Sequence, residues 1–256
     1  MEEKRLLHTN LCKSEVCRYA LLPGSPQRVE RIANYLENPV KIRVNREYET
    51  WMGYLEGEKV LVMSTGMGGP STAIGIEELF ELGCDTMIRV GSCATTSVEV
   101  KRGDVVIPMA SVRMEGTAVH YAPIEYPATP TIEVFDAIRE AGKASGYPCR
   151  VGTVICRDFF YSQYDNQEEP ASYYIKPRYE AYKMMGAIAT EMETATMFIA
   201  GARLKARVGA CMVCATDYVK SENVNKTYPI DYEPRAIEIG VEAMRRIILS
   251  DKEKNA

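Results

Sequence analysis

Four places along the chain put a charged side chain where an apolar run gives way to a turn, which is where an open α/β sheet builds ligand chemistry. Arg89 sits inside the run Thr86 to Val90, just ahead of Gly91-Ser92-Cys93. A cation there is costly to bury unless an anion meets it, so Arg89 reads as a phosphate clamp. Gly24 and Arg28 follow the short run Tyr19 to Leu22, in Pro23-Gly24-Ser25-Pro26-Gln27-Arg28. Glycine lets a ligand approach the backbone closely, although on spacing alone Arg28 reads better as an ordinary helix-surface arginine. Glu191-Met192-Glu193 lies between an apolar run, Gly186 to Ala189, and a helix, Thr194 to Leu204. Acids so placed can accept sugar hydroxyls or favour the helix dipole. Asp217 ends the run Arg207 to Ala215, where an aspartate serves chemistry or caps a turn.

The elements that must position these groups are clearest between Val60 and Cys93, which reads as strand, glycine turn, helix, strand. Val60 to Met63 is an unbroken apolar run, as in a strand covered on both faces. Gly66, Gly68, Gly69 and Pro70 make the turn, and Ser71 or Thr72 can cap the helix that follows. That helix carries Ile74, Ile76, Leu79, Phe80 and Leu82 near helical spacing, with Glu77 and Glu78 solvated between them. Helix N-termini favour anions, but glycine turns are often no more than tight connections. Further strands are expected at Val105 to Met109 and Cys149 to Cys156, and helices at Ile132 to Ala144, from about Pro177, and from Tyr232 to about Leu249. Strands alternate with helices throughout, which predicts a doubly covered, largely parallel sheet.

A chain of 256 residues with 46% hydrophobic content can bury one sizeable core, so residues 1–256 are read as a single domain. The net charge of −4 argues against nucleic acid or an acidic membrane surface as the main partner. No apolar run approaches the roughly 20 residues that span a bilayer, and the charged start MEEKRLLHTN is unlike a signal peptide, so a cytoplasmic protein is expected. Of the eight cysteines, Cys211 and Cys214 form the single CxxC, and the chain has two histidines, so free thiols are expected rather than a zinc site. His8 lies in a polar, irregular start, Arg46 in a segment that alternates like a strand, and His120 in a loop-like stretch from Val112 to Ala128.

The segments PGSPQRVERI, NREY, STGMGGPSTAI, IRVGSC, the stretch around His120 and ATEMETAT occur in this order. Together they resemble the nucleoside phosphorylases of the uridine phosphorylase and hexameric purine nucleoside phosphorylase family, over essentially the whole length. The resemblance implies an α/β fold with a mixed, mostly parallel twisted sheet closing towards a barrel and flanked by helices. It also implies dimers, three to a ring. The reaction implied is reversible phosphorolysis of a nucleoside to free base and ribose 1-phosphate, with inorganic phosphate as co-substrate and no organic cofactor. By the same resemblance Gly24, Arg28, Arg89 and Ser92 hold phosphate, joined by Arg46 from the neighbouring subunit. Met192 and Glu193 hold the ribose, and His8 reaches across the dimer to its 5′-hydroxyl. Phe160 stacks on the base, with Cys93 and Asp217 also on the base side. Positions matching Glu47, Met67 and Ser71 hold a monovalent cation in the uridine branch, which leaves room for potassium.

Base identity is where the chain departs from the family pattern. Uridine phosphorylases carry Gly-Gln-x-Arg shortly after the aromatic matching Phe160, whereas this chain has Tyr161-Ser162-Gln163-Tyr164-Asp165-Asn166-Gln167. Thr216-Asp217 is similar to the Ser-Asp pair with which purine members serve purine N7. A purine nucleoside is therefore expected, with Asp217 as general acid and Arg89 at the phosphate. The alternative is uridine, with Arg157 or Gln163 reading uracil. A nucleosidase of the same fold would not need Arg28, Arg46 and Arg89 together. A non-catalytic relative would be expected to lose the arginines or Glu193.

Overall fold

Strands β1 (Tyr19–Leu22), β4 (Glu58–Met63) and β5 (Thr86–Thr95) run parallel, with β1 between the other two. Every residue of β1 is buried, as is the Val60 to Met63 run, because helices cover both faces. The structure is a computed structural model that describes residues 3–160, 170–217 and 232–255. Helices α1 (Pro26–Ala33) and α2 (Gly69–Glu81) start directly after the turns that end β1 and β4. Both have proline in their first turn, where the missing N–H has no intrahelical partner to lose. Their first turns therefore sit at the C-terminal edge of the sheet.

Among the described residues nine strands form one sheet, in the order β2-β3-β4-β1-β5-β8-β7-β6-β9. The remaining strands are β2 (Glu37–Asn45), β3 (Tyr48–Leu55), β6 (Val105–Met114), β7 (Cys149–Arg157), β8 (Ala189–Glu191) and β9 (Arg207–Asp217). The last strand in the order, β9, also pairs with β5 in parallel over Thr86 to Thr95, which closes β5, β8, β7, β6 and β9 into a five-stranded barrel. A small apolar cluster of Cys93, Val106, Val154, Ala189, Met212 and Cys214 draws on all five of these strands, as a barrel interior must. Two larger clusters lie outside. One gathers α1, α3 (Ile132–Ser145) and α6 (Glu233–Asn255), and the other α2 and α5 (Thr194–Leu204). Helix α4 (Ser172–Met184) completes the set and buries none of its residues. Among the described residues no helix is long and apolar enough to cross a membrane.

The expected α/β class and barrel closure hold, and several local expectations change. The segment around Arg46 is a hairpin rather than one strand: Arg46 takes φ 53 in the turn between β2 and β3. Helix α2 starts at Gly69, capped at Gly68 with φ 90, so neither Ser71 nor Thr72 caps it. Ser71 Oγ instead donates back to the Met67 carbonyl at 3.1 Å. Strand β6 continues to Met114, past the expected loop start at Val112, and α4 runs through Pro177 rather than beginning there. Strand β8 covers Ala189 to Glu191, later than the apolar run that announced it, because Thr190 and Glu191 still pair with β7.

Candidate active site

Strand β5 carries Arg89 to the middle of the sheet, where its side chain is 6% exposed. Leu22 of β1 is its register partner on one side and Ala210 of β9 on the other. The guanidinium folds over Gly91, where a Cβ would stand 3.0 Å from Arg89 Cζ. Its Nη2 is paired with Glu193 Oε2, and its Nε stands 3.4 Å from Glu191 Oε2. Nη1 is buried and has no hydrogen-bond partner among the described residues. Burial by itself would lower the Arg89 pKa, but the Glu193 and Glu191 carboxylates outweigh it and raise it.

The side of the pocket facing Nη1 is made of backbone. A Cβ at Gly24 would lie 3.7 Å from that nitrogen and 3.2 Å from the Gly66 carbonyl, so only glycine keeps this corner open. Gly66 N–H donates to the Gly24 carbonyl at 3.0 Å, tying the β1 and β4 turns together. Arg28, on the first turns of α1, is also buried. Its Nη1 donates to the Val90 carbonyl at 3.3 Å and its Nε to Glu233 Oε1 at 2.8 Å. Ser92 follows Gly91 on β5 and is partly exposed.

The two acids after β8 separate into different jobs. Glu191 accepts from Glu193 N at 2.8 Å, Thr194 N at 2.9 Å and Thr194 Oγ1 at 2.5 Å, so it serves the open N–H groups at the start of α5. Glu193 turns into the pocket, where Oε1 accepts the Gly68 N–H at 2.6 Å beside the start of α2 and Oε2 meets Arg89. Burial raises the Glu193 pKa despite the adjacent arginine. Met192 between them is partly exposed. The result is a corner of guanidinium and glycine backbone, with a carboxylate beside it able to accept hydroxyl groups.

Other expected residues are placed apart. Arg46 is exposed, and among the described residues no hydrogen bond or ion pair ties it to the pocket. His8 is held on α2, with Nδ1 2.7 Å from Glu78 Oε1 and its own N–H donating to the same oxygen at 2.9 Å. Glu78 also accepts from Thr9 N and Thr9 Oγ1 at 2.7 Å each, so it is buried rather than solvated as its sequence position suggested. Burial would push its carboxyl up, but these hydrogen bonds hold it below the ordinary value. Glu77 beside it does face solvent, where it pairs with Arg203.

Glu47, Met67 and Ser71 converge at the Gly66 turn: a Cβ on Gly66 would stand 2.9 Å from Glu47 Cγ and 3.1 Å from Ser71 Oγ. On the base side, Cys93 is buried, and its Sγ lies 3.7 Å from the Val213 carbonyl. Phe160 follows β7 and is partly exposed. Arg157, the last residue of β7, is buried. Its Nε donates to Thr190 Oγ1 at 2.8 Å and its Nη1 to the Phe159 carbonyl at 3.2 Å. The backbone of Asp217 pairs with Thr95 at the end of β9, while its side chain and the stretch 161–169, with Gln163, lie outside the described residues.

Two carboxylates were missed from sequence. Glu233 sits at the start of α6, remote in sequence from Arg28, and offers no local signal. Glu78 differs from Glu77 by one step of the helical wheel, which a run of two acids does not resolve.

Comparison with known proteins matches residues 18–249 to the model of the phosphorylase superfamily. The uridine phosphorylase of Treponema pallidum is 36% identical over 244 residues, covering 95% of each chain. That of Escherichia coli is 36% identical over 253 residues, covering 97% of this chain and all of its own. A guanosine phosphorylase of Halorubrum lacusprofundi is 31% identical over 210 residues, 82% of each chain.

Proposed function

The chain belongs to the phosphorylase superfamily and is a nucleoside phosphorylase, and from that premise we propose that it cleaves uridine with inorganic phosphate to uracil and ribose 1-phosphate. The observation that carries the phosphate half is the buried Arg89 guanidinium, whose Nη1 has no hydrogen-bond partner among the described residues and faces the Gly24 turn. Phosphate fits there, between Arg89, Arg28, the Gly24 backbone and Ser92. Arg46 of the partner subunit would complete the cation set, and the partner's His8 would meet the ribose 5′-hydroxyl. The Glu78 carboxylate, by fixing His8 Nδ1, leaves the other ring nitrogen for that hydroxyl.

The uracil reading replaces the purine reading that Thr216-Asp217 suggested. It is supported by the uridine phosphorylases above, which match at higher identity and over more of the chain than the guanosine phosphorylase. An aspartate at a strand end carries little base information on its own, since the same position serves turns and caps. Arg157 compensates for the missing Gly-Gln-x-Arg pattern in one respect: it grips the main chain at Phe159 and so fixes the residue expected to stack on the base.

In the reaction, cleavage places positive charge on the ribose and negative charge on the departing base. Phosphate held by Arg89 and Arg28 beside the anomeric carbon offsets the first and is positioned to attack it. Glu193, already oriented by the Gly68 N–H, accepts ribose hydroxyls and fixes the sugar against that phosphate. The oxygen donors gathered at the Gly66 turn, the Glu47 carboxylate and the Ser71 hydroxyl beside the Met67 carbonyl, suit a hard monovalent cation. Such an ion would brace the turn.

The test is release of free base from uridine, inosine, adenosine and guanosine, each with and without phosphate. Phosphate-dependent uracil release is expected. Purine release with uridine inert would restore Asp217 as general acid, and release without phosphate would overturn phosphorolysis.

A further inference from the structure

Glu233, the first residue of α6, is bound to the arginine assigned to phosphate. Its Oε1 accepts from Arg28 Nε at 2.8 Å and lies 2.7 Å from Arg28 Nη2, while its Oε2 accepts from Arg31 Nη1 at 2.5 Å. Arg28 and Arg31 lie three residues apart on α1, so one carboxylate bridges two guanidinium groups on one helix face. The Arg28 and Glu233 side chains are 11% and 17% exposed, which removes most of the solvent screening that makes surface pairs weak. The third nitrogen of Arg28 is engaged with the Val90 carbonyl at 3.3 Å. All three nitrogens of this arginine are thus occupied by protein oxygens, two of them by an anion.

The charges around the pocket make this more than a local contact. Arg28, Arg31 and Arg89 bring three positive charges, and Glu191, Glu193 and Glu233 bring three negative ones when ionised. One chain therefore presents a cluster whose arginines are already balanced by carboxylates to a phosphate dianion. Glu191 is tied to the start of α5, and Glu193 is the carboxylate placed for ribose. Glu233 has neither duty, and its only hydrogen-bond partners among the described residues are Arg28 and Arg31.

We propose that Glu233 is a positioning residue that sets the affinity for phosphate, by holding Arg28 in a carboxylate pair that phosphate must displace or share. The proposal rests on the assignment of Arg28 to phosphate. It departs from the simpler view that Glu233 merely aims Arg28 at the ligand, because the carboxylate itself sits on Arg28 Nε and Nη2, the fork with which a guanidinium grips an anion.

The experiment is steady-state phosphorolysis with phosphate varied at saturating nucleoside, for the wild type, Glu233→Gln and Arg28→Gln, paired with the phosphate-induced rise in melting temperature. Glu233→Gln keeps the shape and removes the charge, so the KM for phosphate is expected to fall by about threefold to tenfold, and the melting-temperature rise at fixed phosphate to grow. The KM for nucleoside should move by less than about twofold, since Glu193 and its Gly68 bond are untouched. Glu233→Asp, one methylene shorter, cannot span both arginines and should shift the phosphate KM the same way by a smaller factor, which serves if the glutamine variant folds poorly. An unchanged or raised phosphate KM in both Glu233 variants, with Arg28→Gln raising it, overturns the proposal and leaves Arg28 at the phosphate. A phosphate KM unaffected by Arg28→Gln overturns the assignment of Arg28 itself.

Discussion

Replacing Arg89 by glutamine strands a buried carboxylate, and the size of the effect follows from which bonds survive. Glu191 keeps its bonds from Glu193 N and Thr194, and Glu193 Oε1 keeps the Gly68 N–H. Glu193 Oε2 loses the cation it is paired with. Breaking a buried pair by removing one partner costs about 3–5 kcal/mol, because the remaining charge has no water to solvate it. Protonation sets a ceiling on the part due to charge. From the ordinary value of 4.5, holding the proton at pH 7 costs about 3.4 kcal/mol, and at pH 5.5 about 1.4 kcal/mol. The folded-state pKa of Glu193 is already raised by burial and rises further without Arg89. A group with a raised folded pKa favours the fold below its unfolded pKa and loses that contribution as pH climbs through the folded one. The stability gap between wild type and Arg89→Gln should therefore be up to about 3 kcal/mol at pH 7 and shrink at pH 5.5, by no more than about 2 kcal/mol because wild-type Glu193 already shares part of the upward shift. Urea unfolding at both pH values measures it, and turnover should fall by about 10²–10³-fold at either pH. Adding Glu193→Gln should recover most of the stability and none of the activity. A gap that does not change with pH would refute the stranded-carboxylate reasoning.

Glu15 joins Arg5 to Arg43 of β2, and although burial pushes its carboxyl up, those guanidinium bonds and Cys12 pull it down to about 2. Its contribution is present above the unfolded pKa near 4.5 and lost as pH falls through about 2. After allowance for solvent screening, since Arg5 is about a third exposed, Glu15→Gln should thus cost about 1–2 kcal/mol at pH 7 and almost nothing near pH 2, read from acid and urea unfolding. Gly201 of α5 lies against β9, where a Cβ would stand 2.6 and 2.7 Å from the Val208 methyls. Gly201→Ala should lose about 1–3 kcal/mol by overpacking, and Val208→Ala in the same chain should return part of it, measured by thermal unfolding. Arg113 donates to the carbonyls of Ala118, Ala122, Pro123 and Tyr126, which folds the loop carrying His120. Arg113→Met should destabilise by about 3 kcal/mol and open that loop to protease, whereas an intact loop on limited proteolysis would contradict its role as the anchor.

Much of this protein is written in local pattern. Unbroken apolar runs such as Val60 to Met63 announce strands covered on both faces, and the glycine turns at Gly24 and Gly66 mark where those strands end. Arg89 could be picked out from type alone, since a cation inside such a run requires an anion. Short range is also the limit of such reading. That β9 returns to pair with β5 and closes a barrel depends on partners more than a hundred residues apart, which no run of side chains encodes. Glu191 and Glu193 look alike in sequence, and it is the direction of the chain leaving β8 that gives one to the start of α5 and the other to Arg89. Glu77 and Glu78 differ by one position on α2, yet only Glu78 faces the segment bearing His8. Glu233 reaches Arg28 because α6, at the far end of the chain, shares one apolar cluster with α1. The sequence determined which groups are costly to bury, because that follows from each side chain's own chemistry. Tertiary structure decided which groups meet, because burial leaves each charge only the partners that the fold brings to it.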